Sequence, residues 1–483
     1  MKINYRINSL FVLMVTFGLF FTACSKNDDD NTQEKASELT QKVNLFIHDV
    51  MNEIYLWNDE LPDIDYRYQN DSKEYFESLL YEEDKWSFIT DDVDALLNSF
   101  EGIETSYGWS LAFYYKSSTG NDVIAVVEYV YPNTPADNAG IKRGDVIVGM
   151  NGSSIDDTNY SDLLYSESMT ITLGITTWSD DGYIQFSDGA SADLVAEELS
   201  LNPVVKTKIV ETEGHTIGYI FYAQYIDSYT DAIDTALQSM LNKNVTDLVL
   251  DLRYNPGGSI TSAVHLCSSV APLSAVNGDD PLVTFQWNDD YQEYWESHQV
   301  TSQVRQDFDN TVAVKMGLDA IHILTGSGTA SASELTITGL SPYMTVTTVG
   351  DTTYGKYTGS ITLQPEDFYD ESDYYDEINN WGLQPIVLRY ANAWGVTDFK
   401  DGFAPDLRVQ ESLFNAYPLG DVNDPLFAAA IADITGTSAV VASKSAEIAL
   451  ENRRFLDRGF SRFDPNKREL SVSTNNFVRY KKN

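Results

Sequence analysis

Apolar residues change their spacing along this chain, and each change predicts a different kind of structure. Between 36 and 103 they recur at steps of three and four: Val43, Phe46, Ile47, Val50, Met51, Ile54, Tyr55 and Trp57. That period places them on one face of a helix, which Leu61-Pro62 closes, and shorter helical patterns follow at 75–80 and 96–100. From 104 to 199 the texture turns to strands. Segments 109–115 and 124–130 read as strands, Pro132-Asn133-Thr134-Pro135 as a turn, 136–139 as a short helix stopped by Gly140, and Asn151-Gly152 as a tight turn. From 204 to 435, strand patterns at 216–223, 247–252, 322–324 and 344–349 alternate with helical ones at 228–241 and 424–434. This alternation predicts an α/β multi-domain chain whose last domain is an α/β/α layered core. The stretch 279–310, rich in Asp, Tyr, Trp, Glu and Gln, keeps no regular period and reads as an insertion on the rim.

The two ends differ from the body. Lys2 and Arg6 precede an apolar run of twelve residues, 10–21, too short to span a bilayer and right for a signal sequence. It ends in Phe21-Thr22-Ala23-Cys24, which resembles a bacterial lipoprotein cleavage box. The resemblance implies a signal peptide over 1–23, lipidation of Cys24, and a membrane-anchored place in the cell envelope, at the outer membrane. Residues 24–35 then form an acidic tether, and Asp28-Asp29-Asp30 reads either as a surface-export signal or as a solvated spacer. The net charge of −42 argues against nucleic acid as a partner of the body. After 437 the sign reverses, with ten Lys/Arg against five acids, so this extension is attracted to the chain's own acidic body. With Cys24 acylated, Cys267 is the one remaining thiol, and the five histidines show no ligand spacing, so neither a metal site nor a cofactor is implied.

Two segments carry the chemistry: Thr329-Ala330-Ser331-Ala332-Ser333-Glu334 and Thr353-Tyr354-Gly355-Lys356. A serine hydroxyl needs a base within hydrogen-bond reach to become a nucleophile. A lysine can be that base only when neutral, which apolar surroundings favour. The run from Ser331 reads as a helix start, so the serine stands beside free backbone amides able to stabilise an oxyanion. Both segments, 25 residues apart from serine to lysine, resemble the C-terminal processing (tail-specific) serine peptidases. The resemblance implies Ser331 as nucleophile, Lys356 as general base, and a crotonase/ClpP-like peptidase core over 204–435.

The same resemblance extends further. Leu252-Arg253-Tyr254-Asn255-Pro256-Gly257-Gly258 matches the family's oxyanion turn, implying Gly257 or Gly258 together with Ala332. The block 104–199, with Gly140-Ile141-Lys142-Arg143-Gly144-Asp145, resembles a permuted PDZ domain that captures peptide C-termini, its carboxylate loop falling on Gly108, Trp109 and Ser110. The family's usual glutamine, four residues after the lysine, is replaced by Ser360, and Gln364 is the other candidate for third member. The implied function is a lipid-anchored serine endopeptidase acting on peptide or protein C-termini. The alternative is a weakly active or non-catalytic peptide-binding protein on the same fold.

Overall fold

The structure, a computed structural model, describes residues 34–117, 119–178, 184–369, 375–411, 413–437, 455–458 and 469–471. The signal sequence, Cys24 and most of the acidic tether lie outside the described residues, as does the basic extension apart from Thr437 and the two short stretches near the end.

The core is a six-stranded sheet in the order Val204–Thr212, His215–Tyr222, Asp247–Asp251, Ala320–Thr325, Thr345–Gly350, Leu407–Arg408. The first pair is antiparallel and the remaining neighbours are parallel. Strand side chains alternate between faces, and the burial follows. Ile220, Leu248, Leu250, Ile321 and Ile323 meet helices Thr230–Leu241, Ile260–Val270 and Ala332–Leu340 on one face. Tyr219, Phe221, Val249, Leu324 and Val349 meet helix Pro425–Thr435 on the other. This is the layered arrangement that the alternating pattern predicts.

Helix Glu38–Ile54 buries Val43, Phe46, Ile47, Val50, Met51 and Ile54 in the same large core, where Phe46 meets Phe368 and Tyr369, and Ser37 caps its start. The β-rich block is a seven-stranded sheet in which Trp109–Tyr115 and Asp122–Val130 are neighbours. It has its own core around Phe113, Ala125, Ile147 and Ile171.

The stretch 279–310 departs from expectation. It does not sit on the rim: strand Val283–Trp287 pairs with Ile386–Asn392, and helix Asp289–Ser297 sinks Tyr291 and Trp295 into the main core. Val283, Phe285 and Trp287 do alternate, but only over five residues between acidic flanks, so the period was masked.

Candidate active site

The serine loop is formed between strand Ala320–Thr325 and helix Ala332–Leu340. Thr329 pins it, its hydroxyl donating to the Leu252 carbonyl at 2.8 Å and accepting from the Gly326 N–H at 2.9 Å. Ser331 has φ 62° and ψ −111°, a conformation that side-chain crowding disfavours for every residue but glycine. This sharp turn sets the serine at the helix N-terminus. Its Oγ is buried and meets no hydrogen-bond partner among the described residues.

Glu334 joins the serine and lysine segments. Its buried carboxylate accepts from the N–H of Ser331 (2.8 Å) and of Lys356 (2.9 Å) on one oxygen. The other oxygen accepts from the N–H of Gly355 (2.6 Å) and the hydroxyl of Thr353 (2.6 Å). Burial pushes this carboxyl up to about 7, although all four donors favour its ionised form. The buried Tyr390 hydroxyl reaches the main-chain carbonyls of both Ser331 (3.2 Å) and Lys356 (3.3 Å). Gly355 lets the main chain at Lys400 pass close to the lysine segment: its φ is 98°, and a Cβ there would stand 2.4 Å from the Lys400 carbonyl oxygen.

Lys356 is 1% exposed, and its Nζ lies 6.0 Å from the centroid of the Trp86 ring. Trp86 also packs edge-on against Tyr357. It comes from the N-terminal helical region, outside the two segments whose motifs carry the chemistry. Asp84 holds the Trp86 loop, accepting from the N–H of Trp86 and Ser87 and from the Tyr55 hydroxyl. Ser87 Oγ in turn accepts from the Ile386 N–H at 2.8 Å, which ties the loop to the core.

The glycine turn lies against the serine loop through Asn255. The Asn255 carbonyl accepts from the Ala330 N–H (3.1 Å) and the Ser333 hydroxyl (3.2 Å). Its side-chain Oδ1 takes the Gly257 N–H at 2.9 Å. Gly258 has φ 134°, and a Cβ there would stand 2.1 Å from the Tyr225 carbonyl oxygen, so no other residue fits. Ser360 is buried on strand Thr358–Ser360, just after the lysine. Gln364 caps the short helix Pro365–Phe368, its N–H donating to Asp367 at 2.8 Å. Another glutamine, Gln384, is buried on a strand paired with Phe88–Thr90, where no sequence motif marks it.

In the β-rich block, the Gly108 carbonyl accepts from the Tyr131 N–H, Trp109 leans on Tyr107, and the Ser110 hydroxyl donates to the buried Glu128 at 2.9 Å. A cavity of about 400 Å³ runs from Tyr107, Trp109 and Leu164 to Gln224 and Pro256, the residue before the glycine turn. Arg143 fixes this block against the core. Its guanidinium donates to the carbonyls of Tyr417 and Glu128 and to the Tyr254 hydroxyl, and it pairs with Glu411. Glu411 also pairs with Arg253, which holds Asp251 and Asp424. Burial alone would raise the Glu411 carboxyl, but the two guanidinium groups hold it down at about 2.

Comparison with known proteins divides the chain in the same way. A model described as Peptidase family S41 matches residues 216–409, which enclose Ser331 and Lys356. One described as Peptidase S41 N-terminal domain matches 42–88, which include Trp86, and a PDZ domain model matches 126–173. The chain is 26% identical over 321 residues to the chloroplastic carboxyl-terminal-processing peptidase 2 of Arabidopsis thaliana, covering 65% of this chain and 55% of that protein. It is 25% identical over 270 residues to the carboxy-terminal processing protease CtpB of Bacillus subtilis, covering 55% and 48%. The chain therefore spans about half the length of these two curated relatives. A solved structure from Bacteroides fragilis assigned to the S41 proteases superposes with a TM-score of 0.65 at 25% identity, covering 81% of this chain and 97% of that one.

Proposed function

We propose that the chain, whose residues 216–409 and 42–88 match models of peptidase family S41 and its N-terminal domain, is a serine endopeptidase of that family working through Ser331 and Lys356. The observation that carries this reading is the single Glu334 oxygen that binds the backbone N–H of both residues, bringing the two segments onto one carboxylate. In this mechanism Ser331 Oγ passes its proton to the neutral amine of Lys356 as it attacks the scissile carbonyl. The developing oxyanion is met by the Ala332 amide and a glycine amide. Since the Gly257 N–H is engaged by Asn255, the glycine amide is assigned to Gly258. Lys356 then returns the proton to the leaving amine, and repeats the cycle with water to release the acyl group. The PDZ block supplies the capture of substrate C-termini, its loop at Gly108, Trp109 and Ser110 opening on the cavity that leads to the glycine turn.

Turnover of a peptide with a free C-terminus tests this. Ser331→Ala and Lys356→Arg should each lower kcat by at least about 10²–10⁴-fold with unchanged circular dichroism, the second because arginine cannot give up its proton. Retained turnover in either variant would place the chemistry elsewhere. Anchoring is the second part of the reading, supported by the cleavage-box resemblance at Cys24. It puts the enzyme in the cell envelope at the outer membrane. Radiolabelled palmitate should enter the wild type and not Cys24→Ala; label in both would remove the anchor.

A further inference from the structure

The described pieces of the basic extension are both strands, and each joins a sheet at the proposed peptide path. Phe455–Arg458 pairs antiparallel with Trp109–Tyr115, placing Phe455 opposite Tyr114, Asp457 opposite Phe113 and Arg458 opposite Ala112. Glu469–Ser471 pairs parallel with Gly257–Ser259, and Ser471 also pairs with Ser360. The first strand covers the edge of the β-rich block to which a peptide would add. The second lies between the glycine turn and the strand that follows Lys356.

The side chains of the first strand are matched to their surroundings. Leu456 packs onto the core of the β-rich block. Asp457 accepts from the Tyr160 hydroxyl at 3.0 Å, on the helix Tyr160–Leu164. Arg458 is nearly buried: its Nε donates to Glu128 Oε1 at 2.7 Å and its Nη1 to Ser327 Oγ at 2.9 Å, in the serine loop. Glu128 is itself fully buried, its other oxygen accepting from Ser110. A carboxylate sealed from water needs a cation beside it. Arg143 meets Glu128 at its carbonyl oxygen, so the carboxylate is matched by the tail.

We propose that Glu128, with Ser110 and Ser327, is a subsite for the arginine or lysine of an extended peptide, and that the chain's own Leu456-Asp457-Arg458 fills it in the free protein. An incoming peptide must displace this strand. The ligand class is thus an extended segment with an apolar residue two places before a basic one. The proposal rests on the peptidase reading only for its consequence, that turnover is held down while the tail is in place.

The test separates the two. In the Ser331→Ala background, a fluorescent peptide Arg-Phe-Leu-Asp-Arg-Gly is titrated against three forms. These are the full chain, the full chain with Arg458→Glu, and a full chain cut after folding at a protease site engineered into 438–454, with the released tail removed. Affinity should rise at least tenfold in the second and third forms, and fall at least tenfold when the second arginine of the peptide is replaced by glutamine. Glu128→Gln should erase that preference. As an independent readout, amide hydrogen exchange at 112–114 should speed up in Arg458→Glu. Equal affinity for all three forms with unchanged exchange would overturn the proposal. With Ser331 intact, the cut form should turn substrate over faster. Absence of turnover in every form would sink the peptidase reading, while the binding and exchange results would still decide the occupancy.

Discussion

Glu334 shows how much a single side chain arranges here. Four donors converge on it, from the serine, the lysine, the glycine before the lysine and Thr353. In the sequence it is one more acid in a first helical turn, where it favours the helix dipole; its reach to residues 353–356 depends on the tertiary fold. Its titration gives a measurable consequence. The carboxyl ordinarily sits at 4.5 and is pushed up to about 7 by burial. The folded chain therefore holds this proton more tightly than the unfolded chain. The Glu334 contribution to stability is fully present below about 4.5 and is lost as the pH rises through about 7. Across about pH 5 to 8 the wild type should accordingly lose thermal stability relative to Glu334→Gln, which has no such proton to release. A difference in Tm that stays flat over that range would contradict the assignment.

The elements divide by how local their causes are. Strand Trp109–Tyr115, helix Glu38–Ile54 and the core strands were legible because their apolar period is written within each segment. The segments of Ser331 and Lys356 stand out through short motifs, and the fold brings their backbones onto one Glu334 oxygen. The strand Val283–Trp287 was hidden by its brevity, and the tail strands by the fact that only pairing with distant residues makes them strands. Trp86 was invisible for the same reason, since its role depends on a lysine 270 residues away. On the proposed mechanism Lys356 acts as the neutral amine, a form the Trp86 ring favours by covering it from water, so Trp86→Ala should lower kcat about tenfold. KM should change little. A kcat within twofold of wild type would reduce Trp86 to packing.

At the scale of the molecule, Arg143 and its partners bind the β-rich block to the core at residues that immediately precede the glycine turn. Breaking a buried ion pair leaves an uncompensated charge, so Arg143→Ala should cost about 3 kcal/mol, measured by urea unfolding; a loss below about 1 kcal/mol would make the link incidental. The sheet order has a different consequence. Strands Gly257–Ser259 and Thr358–Ser360 stand on either side of one tail strand. Adjacent strands lie about 4.8 Å apart, so the flanking pair is separated by roughly 9.6 Å, room for a single extended backbone. A helix with its side chains is about 10–12 Å across and does not enter. On the proposed reading this gap is a gauge for thickness. A substrate with a folded end would have to unravel it first, so the local stability of that end, rather than the residues at the cut, would set how fast it is cleaved.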